Sequence, residues 1–249
     1  MADSAVRIQI CGRVAVEIDG EPRESRLPGR QGRLLFCYLV LYRHEPITRA
    51  RLTDALWPAG PPPAAESGLN ALLSKVRAVL GADAISPRGP VQLRLPADAW
   101  IDYEAALDAA HRAESALSLG DCARAWACAQ TALFTARRGF LLHESVEWAD
   151  EARRRLADVY RRSLETYAGA ALAIGGTELA TAERACRELI GLVPFRESAY
   201  GLLMQTLAAR GNVAEALLVY ESLRQLLRDE LGVAPGPDVR ALHEQILTG

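Results

Sequence analysis

The residue types able to do recognition chemistry are concentrated in one short segment, Leu69–Gly81, LNALLSKVRAVLG. Leu69, Leu72, Leu73, Val76, Val79 and Leu80 recur at helical spacing and mark the inner face of a helix. The opposite face carries Asn70, Ala71, Ser74, Lys75, Arg77 and Ala78. Small polar and basic side chains on a slim helix let its backbone approach base edges in a DNA major groove. Asparagine can read adenine in bidentate fashion there, and Lys or Arg can read guanine or neutralise phosphate. Lys75 is the only lysine of the chain. On periodicity alone this is an ordinary amphipathic helix with a solvated polar face, so the surrounding elements must decide.

Other basic residues could clamp a phosphate backbone around that helix. Arg49 and Arg51 fall in the first turn of a preceding helix, where free backbone N–H groups also favour an anion. Thr48 is the expected N-cap, with Ile47 and Leu52 at the positions of a hydrophobic staple. Arg30 and Arg33 open the helix before that one, and Arg88 stands at a turn after Leu69–Gly81. Taken singly each is a solvated surface arginine; together they make a backbone-contacting set.

The elements around these residues follow from spacing. Val6, Ile8 and Ile10 alternate, as do Val14, Val16 and Ile18, with turn signals at Gly12 and Asp19-Gly20. This predicts two short antiparallel strands. Residues 30–42 switch to helical spacing, break at His44–Pro46, and resume to Trp57 and Pro58. Gly60–Pro63 is a stiff loop, a third helix spans about 65–80, and Ile85–Pro96 reads as a hairpin with its turn near Arg88-Gly89. From Tyr103 on, helices are predicted over 103–119, 121–138, 146–173, 178–193, 197–210, 213–231 and 238–247, with corners at Gly120, Gly175-Gly176, Gly211 and Gly232. A 34-residue offset pairs Ala173 with Leu207, Ala182 with Ala216, and Leu189 with Leu223, which is the tetratricopeptide (TPR) period. A third, degenerate copy lies around Gly120–Thr135. The expected fold is mainly α: an N-terminal winged helix with a small β-sheet, three helices and a wing hairpin over 1–100, then an all-α TPR-like domain over 101–249, with the junction near Asp98–Tyr103.

Catalytic chemistry is not in view. The chain has no Walker-type phosphate loop, no GxGxxG after a strand and no paired CxxC. Cys122 and Cys128 are six apart, poor spacing for zinc and good spacing for a core. Cys11, Cys37, Cys122, Cys128 and Cys186 read as buried free thiols in a reducing cytosol. His111 and His143 lack a Cys or carboxylate constellation. We therefore expect no enzyme, no metal and no cofactor. No leader-like start and no run of about 18 apolar residues is present, so a soluble cytoplasmic protein with no membrane partner is expected. Net charge is −2 overall but uneven: +3 over residues 1–100 and −5 over 101–249, as suits a DNA-facing half joined to one with another task.

The stretch Asp229–Leu247, DELGVAPGPDVRALHEQIL, reads as a helix end at Gly232, a break at Pro235 and Pro237, and a short closing helix. Together with LxDALWP at Leu52–Pro58, it closely resembles the SARP (Streptomyces antibiotic regulatory protein) family of regulators, over about Val6 to Leu247. The strand-strand-helix-helix-helix-hairpin order is similar to the response-regulator winged helix. By that resemblance Ser74, Lys75 and Arg77 stand where the family has Ser-Arg-x-Arg contacts. The resemblance implies a transcriptional activator that binds promoter direct repeats in double-stranded DNA, is nucleoid-associated, and contacts RNA polymerase (sigma factor or core subunits). Its helical domain would mediate homodimerisation and the polymerase contact. It further implies a short stand-alone regulator with no receiver, NTPase or phosphopeptide-binding module. Trp100-Ile101-Asp102-Tyr103 resembles the family's Val-Asp-Leu-x-x-Phe link. The wing departs from the family: Gly89-Pro90-Val91-Gln92-Leu93 replaces a Gly-Tyr-Arg-Leu-like strand, which puts its insertion in the minor groove in question.

Two other readings stand beside this one. In the first, the chain is a TPR-like protein-interaction adaptor whose winged helix binds protein; such an adaptor does not need the positive Asn70–Arg77 face, and its binding would be insensitive to salt. In the second, it is a small-molecule sensor, which would need a closed apolar pocket between helices.

Overall fold

The structure, a computed structural model, describes residues 6–27, 29–86 and 89–248. Its contacts group into two compact units. The first takes in residues 1–105 and 138–156; the second takes in 106–137 and 157–249. The mainly α fold with a small N-terminal sheet agrees with expectation.

In the first unit, β1 (Val6–Gln9) pairs antiparallel with β2 (Ala15–Ile18), which pairs with β3 (Glu21–Pro22). On the other side β1 pairs in parallel with β4 (Trp100–Ile101), giving the order β3-β2-β1-β4. The residues read as a junction are thus a strand of the sheet. Val6, Ile8, Val16 and Ile18 point to the core, as period two requires, while Arg7 lies over the Trp100 ring at 4.8 Å on the outer face. Helices α1 (Gly29–Leu41), α2 (Arg49–Leu56) and α3 (Ala65–Leu80) follow. Thr48 caps α2 as predicted, its hydroxyl accepting from the Arg51 N–H at 3.2 Å, and Ile47 and Leu52 are fully buried.

Past Gln9, where β1 ends, the chain has no β4 neighbour, because β4 ends at Ile101 and the chain turns into α4 (Asp102–Ser118). Asp102 takes over as acceptor. Its buried carboxylate accepts from the Ile10 N–H at 2.8 Å and the Cys11 N–H at 3.2 Å, and from Arg138 at 3.2 Å. Burial pushes this carboxyl above its usual range, while the two amides and the Arg138 guanidinium pull it back down. Next to it Cys11 bridges to Phe140, and the Gly12 N–H donates to the Gly139 carbonyl at 2.7 Å. Phe140 is fully buried against Tyr103 and Trp148, and Trp148 stands edge-on to Tyr38 at 4.9 Å with its N–H on the Ala55 carbonyl. Arg153 holds this segment, donating to the carbonyls of Phe140, Leu141 and Glu144.

In the second unit, α5 (Cys122–Ala136), α7 (Leu179–Leu192), α8 (Glu197–Ala209), α9 (Val213–Leu231) and α10 (Pro237–Thr248) pack with the rest of α4 and of α6 (Asp150–Ile174). The 34-residue offset holds where helices touch: Ala182 and Ala216, and Leu189 and Leu223, are all fully buried, the last three of them in one core. It fails at its first pair, because Ala173 is exposed at the end of α6 while Leu207 is buried in α8. Gly232 ends α9 in the left-handed conformation (φ 69°), as read from sequence. No helix among the described residues is long and apolar enough to cross a membrane.

Asp102→Ala should lower stability by about 2–4 kcal/mol, since it strands two buried amides beside a guanidinium. Urea unfolding followed by tryptophan fluorescence checks this; a loss under ~1 kcal/mol would contradict the role assigned to the carboxylate.

Candidate nucleic-acid interface

Helix α3 is held to the first unit by Leu69, Leu73, Val76 and Val79, each about 1 % exposed or less; Leu72 and Leu80, also expected inside, are only half-buried. Asn70, Ala71, Ser74, Lys75 and Ala78 are exposed. The result is a slim outer face of two alanines, a serine and an asparagine, with room for close approach. Lys75 and Arg77 do not share one cluster. Two residues apart on a helix they lie about 160° apart around its axis, so they bracket the face from opposite sides. Arg77 is half-buried and donates to the Ser86 carbonyl at 3.3 Å, which ties it to the base of the wing.

The start of α2 meets the other end of the face. Arg49 donates from Nη2 to the Asn70 Oδ1 at 2.5 Å. A guanidinium can only donate, so this contact fixes the amide: Oδ1 faces Arg49, and Nδ2 is the group free to donate elsewhere. Two other predicted arginines are drawn away. Arg51 pairs with Glu45 at 2.8 Å and lies over the Tyr42 ring at 4.8 Å. Arg30 pairs with Glu144 at 2.6 Å. Arg33 is exposed on α1, and Thr48 serves as the cap of α2. Arg88 lies outside the described residues.

The wing forms with its proline. Val91 exchanges both backbone hydrogen bonds with Ile47 at 2.8 Å, and Leu93 bridges to Ile85. Ser86 was not singled out from sequence, yet it clasps this turn: its hydroxyl donates to the Pro90 carbonyl at 2.7 Å and accepts from the Gln92 N–H at 3.2 Å. Arg94, also passed over, is exposed one residue beyond buried Leu93, a position the alternation of Val91 and Leu93 could have flagged. Burial pushes the Cys37 and Cys186 thiols up to about 12, far from nucleophilic, while Cys122 and Cys128 are half-buried and unpaired, and no metal-ligating cluster of His, Cys, Asp and Glu occurs among the described residues.

Residues 101–247 match the model of the bacterial transcriptional activator domain. The chain belongs to that family. Its relatives bear out the SARP resemblance, and their names are those of regulatory proteins. Regulatory protein AfsR of Streptomyces coelicolor is 34% identical over 98% of this chain, which spans 24% of AfsR. Transcriptional regulatory protein EmbR of Mycobacterium tuberculosis is 29% identical over 96% of this chain and 62% of its own length. The solved structure of M. tuberculosis EmbR, in complex with a low affinity phosphopeptide, superposes with a TM-score of 0.81 at 23% identity, covering 99% of this chain and 66% of that one. The chain thus spans about a quarter of AfsR and under two thirds of EmbR.

Removing the wing clasp has a local signature. Ser86→Ala should speed amide exchange at Gln92 roughly fivefold, about 1 kcal/mol, and leave amides in the middle of α3 unchanged. Equal protection at Gln92 in both proteins would sink this assignment.

Proposed function

We propose that the chain is a DNA-binding transcriptional activator in which α3 enters the major groove of promoter DNA. The observation that carries this reading is the bare outer face of α3, where small residues let the backbone approach base edges. Lys75 and Arg77, on its two flanks, contact phosphate or guanine. Arg49 and Asn70 act as one unit at the end of the face, with Ser74 between them and the wing. Arg33 and the wing residue Arg88 add phosphate contacts; Arg30 and Arg51 must first release Glu144 and Glu45, so they contribute less. Two copies on direct repeats are joined through the helical unit, which also contacts RNA polymerase. The protein works in the cytoplasm, at the nucleoid.

Fluorescence anisotropy over a salt series tests this, using duplexes selected from the promoters next to the protein's own gene. Lys75→Ala should weaken binding across all sequences and reduce the slope of log affinity against log salt by about 1. A wild-type protein that binds no promoter fragment, or binds indifferently to salt, would move the chain to the adaptor reading. Arg49→Met should do something different. With the amide of Asn70 no longer fixed, discrimination at one base position should fall by about 1–3 kcal/mol while the salt slope changes by about 1 at most. Selection from a random duplex library reads that position directly; unchanged preference would refute the Arg49–Asn70 unit.

A further inference from the structure

In the second unit α5, α6 and α7 line a half-open cavity of about 240 Å³ that the proposed DNA contacts do not use. Its floor is apolar: Leu133, Leu164 and Ala185 are all buried. Phe134 stands at its edge with 60 % of its surface exposed, although it is next in sequence to a core residue. An exposed phenyl ring beside an apolar hollow is surface that a ligand could cover.

Charge at the rim is unbalanced for a reason visible in the contacts. Arg184 and Glu188 are four apart on α7, the spacing at which an arginine and a glutamate ordinarily pair. Glu188 is instead taken by other helices. It accepts two hydrogen bonds from Arg137 at 2.9 and 3.1 Å, and one from the Tyr160 hydroxyl, to which Arg137 also donates at 3.0 Å. Arg184 is left with one long hydrogen bond, to the Thr181 hydroxyl at 3.4 Å, and no carboxylate among the described residues pairs with it. The cavity therefore offers an apolar floor, aromatic walls and one uncompensated guanidinium. A 150 Å³ apolar cavity holds benzene, so this one takes a somewhat larger ring system.

We propose that this cavity is a binding site for a small aromatic carboxylate, its ring over Leu133 and Leu164 against Phe134 and its carboxylate on Arg184. The volume, and Arg184 as the cavity's one guanidinium without a carboxylate partner among the described residues, favour a small molecule over a polypeptide. This site stands independently of the DNA reading, because it is tested without DNA.

The probe is 2-naphthoate, with neutral 2-naphthalenemethanol as its isostere, titrated into the whole chain by calorimetry and by NMR. Naphthoate should bind with a Kd of roughly 0.1–1 mM and should shift resonances of α5 and α7. The alcohol should bind about tenfold more weakly. Arg184→Gln, at an exposed position, should abolish that tenfold preference and keep the alcohol's affinity. Phe134→Ala should weaken both ligands. No naphthoate binding at 10 mM would overturn the proposal, as would a preference untouched by Arg184→Gln. So would shifts of α5 and α7 produced only by a short peptide containing Phe-Asp, which would give the cavity to a polypeptide. A dimer that dissociates in Phe134→Glu would give it to a second copy of the chain.

Discussion

Two amides at the end of the first strand set the constraint on which the first unit rests. The N–H groups of Ile10 and Cys11 are buried, and the neighbouring strand has already turned into a helix. A buried donor without an acceptor costs about 1–3 kcal/mol, so two of them would be a large part of a domain's net stability. Asp102 resolves this with one side chain, and in doing so fixes where α4 starts relative to β1. Burying a carboxylate is itself unfavourable, and Arg138 offsets that burial from a segment distant in sequence. With Arg138 placed, Gly139 and Phe140 follow onto Gly12 and Cys11, and Trp148 reaches Tyr38 and Ala55. The outer face of α3 depends on this, because Ala55 lies in α2, and α2 positions Arg49 against Asn70.

Local rules made most elements legible. The period-two strands, the Thr48 cap with its staple, and the left-handed Gly232 each depend on residues within a few positions of one another, and each formed where expected. The inner stripe of α3 was legible for the same reason, though periodicity could not say how far round the helix burial extends; Leu72 and Leu80 sit at its margins. What escaped was long-range. Nothing within ten residues of Phe140 signals that it bridges to Cys11, and Asp102 reads as an ordinary acidic residue at a helix start until β4 is known to pair with β1. The 34-residue offset succeeded at Ala182 and Ala216, where small residues are needed between packed helices. It failed at Ala173, because small size is equally compatible with an exposed helix end.

The basic residues show the same limit in another form. Sequence gives the charges but not their partners. Of the arginines proposed as DNA contacts, Arg30 and Arg51 find glutamates and Arg77 finds a carbonyl. Exposed ion pairs of this kind are worth about 0–1 kcal/mol, so they do little for the fold and yield readily to a phosphate. The more selective contact is Arg49 with Asn70, because it orients a group and does not merely supply charge. An asparagine free to flip offers either edge to a base; one whose oxygen is held by a guanidinium offers a donor. Geometry of this kind can narrow what a helix reads even where composition cannot.

The same principle governs the second unit. Glu188 has two arginines within reach of its helix face and across from it, and it pairs across the helices with Arg137, helped by the Tyr160 hydroxyl. A pairing between helices in which one guanidinium nitrogen spans both carboxylate oxygens and a hydroxyl adds a third bond gains more than one exposed pairing along a single helix, whose worth is about 0.2–0.5 kcal/mol. The choice stabilises the packing of α5, α6 and α7, and as a consequence leaves Arg184 uncompensated at the rim of an apolar hollow. A binding-competent charge can thus arise as the remainder of a packing decision, which explains why no motif in the sequence announces it.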